Sequence, residues 1–295
     1  MAKYLNPKSD LVFKRIFGQE KDLLISFLNA ILPLENEEQI VDLEYLPSEQ
    51  VPTVPQFKNS IVDVKCRANN NSFFIVEMQV NWTNAFMQRV MFNAGKAYVN
   101  QMKEGESYDL LLPVFAVSII DYIFDKDSTE YYHHYKIVNI KNSNDVIKGL
   151  QFVFIELPKF NASTYTQKKM QALWLRFLKE TGKTEPLSED FLKEKETAKA
   201  VKLAEIGTYT EAQLAYYDQY FDAVSTERTF VVEAEKRGEQ KGMEKGMEKG
   251  MEKGMEKGME IGKEEGRRLG VEEALTNLIK NGIPGTEARR LLGLE

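Results

Sequence analysis

Apolar side chains recur at a helical spacing between residues 9 and 32. They are Leu11, Val12, Phe13, Ile16 and Phe17, then Leu23, Leu24, Phe27, Leu28 and Ile31. Ser9 or Asp10 is placed to cap this run, and Gly18 divides it into two helical pieces. Residues 39 to 46 read as a strand, and 47 to 60, with Pro52 and Pro55, as a loop. The pattern then alternates with period two. Val62, Val64, Cys66 and Ala68 share one face, with Asp63, Lys65 and Arg67 on the other. After Asn69, Asn70 and Asn71 the alternation resumes, with Phe74, Val76, Met78 and Val80 opposed to Phe73, Ile75, Glu77 and Gln79. Asparagine tolerates positive φ, so these two runs predict a β-hairpin. A helix from Thr83 or Asn84 to about Met102 follows, with Phe86, Met87, Val90, Met91, Ala94, Ala97 and Tyr98 as its buried stripe. Residues 110 to 123 are nearly all apolar, as in a strand covered on both faces. Shorter strands are expected at 131 to 140 and 151 to 157, then helices at about 164 to 181, 188 to 205 and from 208 onward.

The hairpin carries chemistry. A turn centred on Asn70 sets Cys66 opposite Phe74 and Asp63 opposite Glu77. Directly opposed side chains have Cβ atoms roughly 5 Å apart. Two carboxylates that close raise each other's proton affinity, and a shared divalent cation relieves the repulsion. Hard oxygen ligands suit Mg²⁺ or Mn²⁺, which lowers the pKa of a bound water and stabilises charge on a phosphate. Gln79 shares the face and can orient a phosphate or an attacking water, while Lys65 and Arg67 add local positive charge. A plain solvated strand face with alternating charges fits the same spacing.

Composition narrows the setting. Of 295 residues 43% are hydrophobic, enough for a real core. The net charge of −6 argues against a broad cationic surface, so a nucleic-acid partner requires a local one. The single cysteine, Cys66, excludes an internal disulfide framework and reads as a core residue. The opening MAKYLNPKSD has no apolar segment of a signal peptide, and no run approaches the length of a membrane span. A cytoplasmic protein without membrane association is expected. His133 and His134 are adjacent, hence on opposite strand faces, and a closed Cys/His zinc site is excluded.

Asp63, thirteen residues, then Glu77-Met78-Gln79 resembles the core motif of PD-(D/E)XK nucleases. Three stretches are similar to the Rpn family of recombination-promoting nucleases and putative transposases. They are PKSDLVFKRIFGQEKDLLISFLNAIL (Pro7 to Leu32), IVDVKCRANNNSFFIVEMQ (Ile61 to Gln79) and QRVMFNAGKAYVNQMKEGESY (Gln88 to Tyr108), within residues 4 to 160. The resemblance implies an α-β-β-β-α-β restriction-endonuclease-like core in an α/β fold and a metal-dependent DNA endonuclease. Asp63 and Glu77 match the metal-binding acids, and Asp10 matches an N-terminal acid of that family, although it equally suits a helix cap. Gln79 stands where the wider superfamily has lysine, for which Lys65 or Lys96 is a candidate substitute. The alternative is a weak or inactive nuclease fold acting as an interaction module.

From Gly238 to Gly270 every fourth residue is glycine, with MEK intact after Gly242, Gly246, Gly250 and Gly254. On a helix each row drifts by about 40° per repeat. Residues 233 to 268 hold ten acidic and ten basic side chains, a balanced polar segment. It reads either as a homo-oligomer contact through residues 238 to 270 or as a solvated tether. The expected organisation is a nuclease-like domain at 1 to 160, a helical region at 161 to 235, the repeat at 236 to 270 and a short helical cap at 271 to 295.

Overall fold

The computed structural model describes residues 3–34, 38–50, 60–69, 71–83, 85–161, 169–183 and 186–294. The expected loop at 47 to 60, the centre of the hairpin turn at Asn70 and the start of the helix expected at 164 lie wholly or partly outside them. The chain divides into two compact units, residues 1–228 and 229–295.

The first unit begins with α1 (Asp10–Phe17) and α2 (Lys21–Ile31). Ser9 is the cap: its Oγ accepts the Val12 N–H at 3.3 Å, and Gly18 closes α1. Strand β1 (Leu43–Leu46) is shorter than the period-two pattern predicts. Asn29 takes both backbone groups of Ile40, its Oδ1 accepting from N–H and its Nδ2 donating to C=O. That exchange satisfies residue 40 without a strand partner. Two-residue strands β2 (Glu49–Gln50) and β3 (Ser60–Ile61) pair with each other.

The hairpin is β4 (Val64–Ala68) and β5 (Phe73–Gln79), with Val64 opposite Val76 and Cys66 opposite Phe74. This is the register the sequence predicts. Asn71 takes φ 57°, the left-handed conformation anticipated for the turn. Helix α3 (Phe86–Val99) then crosses to β6 (Val114–Ile120), which lies parallel to β5. Strands β7 (Tyr132–Asn139) and β8 (Asn142–Glu156) form a long antiparallel pair, and β8 also runs parallel to β6. The six-stranded order is β1-β4-β5-β6-β8-β7. This mixed α/β sheet, entered through helices and crossed by α3, is the architecture the resemblance implies.

Both faces of the sheet are covered. One cluster joins Val64, Cys66, Phe74, Val76 and Val117 to Phe13, Phe17 and Phe27 and to Trp174 and Phe177. The last two come from α4 (Lys169–Glu180), and the Trp174 indole N–H donates to Ser26 Oγ at 3.1 Å. The opposite face packs Ile75, Val114, Ala116 and Phe154 under Phe86, Val90, Ala94 and Ala97 of α3. Met91, expected in that stripe, is 58% exposed, and Asn93 is buried in its place.

Beyond α4 come α5 (Asp190–Lys193) and α6 (Lys195–Ala204), separated where Glu194 adopts an extended conformation (φ −107°, ψ 135°). A single helix, α7 (Glu211–Lys280), begins in the first unit and supplies most of the second. Within the second unit α8 (Gly285–Leu291) follows a turn at Gly282, whose φ is 86°. Met243, Met247, Met251, Met255 and Met259 are 60–77% exposed. No helix among the described residues is long and apolar enough to cross a membrane.

Candidate active site

Continuing the β4–β5 register by one step sets Asp63 against Glu77. Asp63 stands just before β4, where its Oδ2 accepts the Met78 backbone N–H at 2.8 Å. That bond fixes the carboxyl across the strand gap, next to Glu77. Glu77 is only 7% exposed, and its Oε1 accepts from Asn93 Nδ2 at 3.0 Å. Each carboxylate therefore has one oxygen held by the protein and one with no protein hydrogen bond among the described residues. Together with Ile61, Met78, Gln79 and Arg89 the two acids line a pocket of about 240 Å³.

Electrostatics follows from burial. Desolvation raises the Asp63 carboxyl above its ordinary range; Asp10 adds to this, while the Met78 N–H, Lys14 and Arg89 oppose it. Glu77 is raised for the same first reason and then by Asp63, against Asn93 and Arg89. Burial thus disfavours the charged form of both acids, and a cation held between them would offset that cost.

Gln79 is not free to turn. Its Oε1 accepts from Arg89 Nη2 at 2.5 Å, and its Nε2 donates to the Asn81 carbonyl. Lys65 is half-buried on the face of the acids but does not line the pocket; burial and the nearby Lys96 lower its pKa. Asp10, the first residue of α1, is bound by Lys14 Nζ at 2.6 Å and by the Tyr216 hydroxyl at 3.4 Å. It is close enough to act on Asp63 electrostatically. Among the described residues no three His, Cys, Asp or Glu side chains are grouped to hold a metal ion. Cys66 is fully buried and its thiol is pushed up to about 12, as a core residue. His133 Nε2 meets Glu156 and His134 Nε2 meets Gln151, so the two imidazoles serve separate partners.

The sequence reading missed Arg89 and Asn93. Arg89, Asn93 and Lys96 lie at i, i+4 and i+7 of α3, one polar row facing Gln79, Glu77 and Lys65. The signal was available in Asn93, a polar residue inside an apolar stripe, which requires a buried partner. It also missed the start of α7. Asn81 Nδ2 donates to Val224 O and Glu227 Oε2, at 3.1 and 2.8 Å. The Tyr220 hydroxyl donates to Lys8 O, and its pKa is raised by burial and by the charges of Asp63 and Asp10. Ser118, which pairs with Glu77 in the β5–β6 register, is buried with no hydrogen-bond partner for its hydroxyl among the described residues.

The model of the PD-(D/E)XK nuclease family transposases matches residues 7–234. The chain belongs to this family. The match reproduces the resemblance noted for residues 4 to 160 and extends past it, through α4, α5 and α6 into the tyrosine-rich start of α7. No curated protein and no solved structure matches the chain. The pair Asp63 and Glu77 lies within the matched residues.

Proposed function

We propose that this protein is a divalent-metal-dependent endonuclease that hydrolyses phosphodiester bonds of DNA, of the recombination-promoting type, acting in the cytoplasm. The observation that carries the reading is the pair Asp63 and Glu77, opposed across one hairpin in an open pocket, each with an unengaged oxygen. Two carboxylates and nearby neutral oxygens are a hard donor set suited to Mg²⁺ or Mn²⁺, which needs few protein ligands and keeps several waters. When bound, the ion activates a water and neutralises charge on the scissile phosphate.

The remaining work falls to the chain. Asn93 and the Met78 N–H orient the two carboxylates. Arg89, attached to Gln79, supplies a permanent positive charge beside the acids, the role that the motif lysine has elsewhere in the superfamily. Gln79 positions that guanidinium and is itself anchored on Asn81. Lys65 lends a more distant positive potential, and Asp10 remains a candidate third acid once Lys14 moves aside.

Plasmid cleavage with Mg²⁺, Mn²⁺ or EDTA, comparing wild type with Asp63→Ala and Glu77→Ala, tests this. Nicking is expected only with metal and only in the wild type. Cleavage that persists in EDTA or in both variants rules out the reading. The second reading, a catalytically weak fold that binds partners, draws on Gln79 being fully occupied by Arg89 and Asn81. Absence of nicking under every metal condition favours it.

A further inference from the structure

We propose that a cationic cavity built around Lys179 and Lys183 holds a backbone phosphate of the DNA substrate, flanking the bond to be cut. The proposal rests on the DNA reading above. Lys159, Arg176, Lys179 and Lys183 line a cavity of about 420 Å³ together with Pro158, Phe160, Asn161 and one acid, Glu180. Two of these cations already have anions. Arg176 binds Glu180 at 2.9 Å and Asp190 at 3.2 Å, and Lys159 binds the fully buried Glu156.

The other two do not. The Lys179 ammonium donates to the carbonyls of Pro158 at 3.0 Å and Phe160 at 2.7 Å, both neutral. An ammonium has three donors, so one is left over. Neither Lys179 nor Lys183 has a carboxylate in ion-pair range among the described residues. Burial and then the like charge of Lys183 depress the Lys179 pKa; Asp121 and Glu180 oppose this, and Lys8 adds the smallest depression. Packing ammonium groups together without a counter-ion is unfavourable, and a phosphate reverses the sign of that energy.

The cluster is built into the fold. Lys183 follows Gly182, whose φ is 86° and whose added Cβ would lie 2.6 Å from Asn6 Cα. The turn is therefore clamped against the segment that leads into Lys8. Lys8 Nζ binds Asp121 Oδ2 at 2.7 Å, and the Asp121 N–H donates to the Gln79 carbonyl at 2.9 Å. Lys8, near enough to act on Lys179 electrostatically, thus connects through Asp121 to Gln79 on the lining of the acid pocket. Strands β5, β6 and β8 are parallel and end in register at Gln79, Ile120 and Glu156. Two interstrand steps separate the acid strand from the strand that leads into Lys159, roughly 10 Å. In a chain of net charge −6, such a local patch supplies backbone attraction without base readout.

The test is DNA binding by the full chain in EDTA, followed by fluorescence anisotropy of a labelled duplex across a salt series. Wild type is compared with Lys179→Gln/Lys183→Gln and with Lys136→Gln/Lys148→Gln, an equal charge change on β7 and β8. Each lost phosphate contact reduces the salt slope by about 0.9, so the first double variant, which loses the one phosphate held by the cavity, should lose about 0.9. Between 0.05 and 0.2 M salt its affinity should therefore fall about 3.5-fold less than that of the wild type. The single exposed change Lys183→Glu, which leaves the Lys179 carbonyl bonds intact, should lower the slope by at least about 0.9. The control pair should keep the wild-type slope. Wild-type binding with an unchanged slope in both pocket variants overturns this inference and leaves the endonuclease reading standing. Failure of the wild type to bind DNA at all sinks both. Inorganic phosphate that erases the difference between wild type and variant at fixed ionic strength reassigns the cavity to free phosphate.

Discussion

Glu77→Gln should make the protein more stable, and the gain should depend on pH. Glu77 is buried, keeps a hydrogen bond from Asn93 and stands opposite Asp63, just before β4, when the β4–β5 register is continued by one step. Two carboxylates about 5.5 Å apart at an effective dielectric of about 20 repel by about 3 kcal/mol. The glutamine isostere keeps an oxygen for Asn93 and removes that repulsion. For a unit of this size about 3 kcal/mol corresponds to a melting temperature higher by about 6 to 12 °C. The sign with pH follows from linkage. Both carboxyls titrate above their ordinary range in the fold, so the folded state holds protons more tightly than the unfolded chain. Their contribution is fully present below the ordinary carboxylate range and is lost as pH rises through the raised values. Wild type and Glu77→Gln should therefore melt together below the ordinary carboxylate range and separate as pH rises through the raised values. A divalent cation at about 100 times its dissociation constant restores about 2.7 kcal/mol to the wild type and little to the variant. Differential scanning calorimetry with and without Mg²⁺ measures all of this. A variant that melts lower at alkaline pH, or gains as much at acid pH, refutes the reasoning.

Other outcomes follow from the same geometry. Arg89→Ala should reduce plasmid nicking by about 10²-fold, on the scale of losing a preorganised charge donor, and Arg89→Lys should recover part of it. Because Arg89 lowers the proton affinity of both acids, the acidic limb of the pH–rate profile should move to higher pH in Arg89→Ala. Ser118→Ala removes a buried hydroxyl that has no partner among the described residues and should stabilise the fold by about 1 kcal/mol, read as a melting temperature higher by about 2 to 4 °C; a lower value counts against it. A chain ending at Glu235 should show a lower oligomeric mass by light scattering than the full chain, since it lacks the exposed methionine rows of α7. Equal subunit numbers would defeat that expectation.

The hairpin was legible because its information is local. Alternation fixes faces, three asparagines fix the turn, and the two together fix the register of Cys66 with Phe74. Ser9 and Gly18 likewise bound α1 through bonds made within one helical turn. What escaped depends on distant partners. The acid face alternates as a solvated strand would, and only the packing of α3 reveals that Ile75 and Glu77 are covered. Arg89 was inconspicuous because a basic residue in the first turns of a helix is ordinary until its partner Gln79 is in place. Strand β8 starts at Asn142, before the apolar run that marks it, because its first half pairs only with β7 and stays exposed. The helix expected at 188 to 205 breaks at Glu194, where no glycine or proline marks the interruption.

The glycine-methionine-glutamate-lysine tetrad of α7 has a consequence for variation among copies of such a gene. One tetrad is encoded by twelve nucleotides, a length that replication slippage can add or delete without disturbing the reading frame. Every such event changes the helix by about 6 Å and turns whatever follows by about 40°. Within residues 242–258 a Cβ added at any of the repeat glycines meets no neighbouring atom. Length here is therefore a heritable dial: within the second unit, the direction in which α8 leaves the repeat is reset in discrete increments.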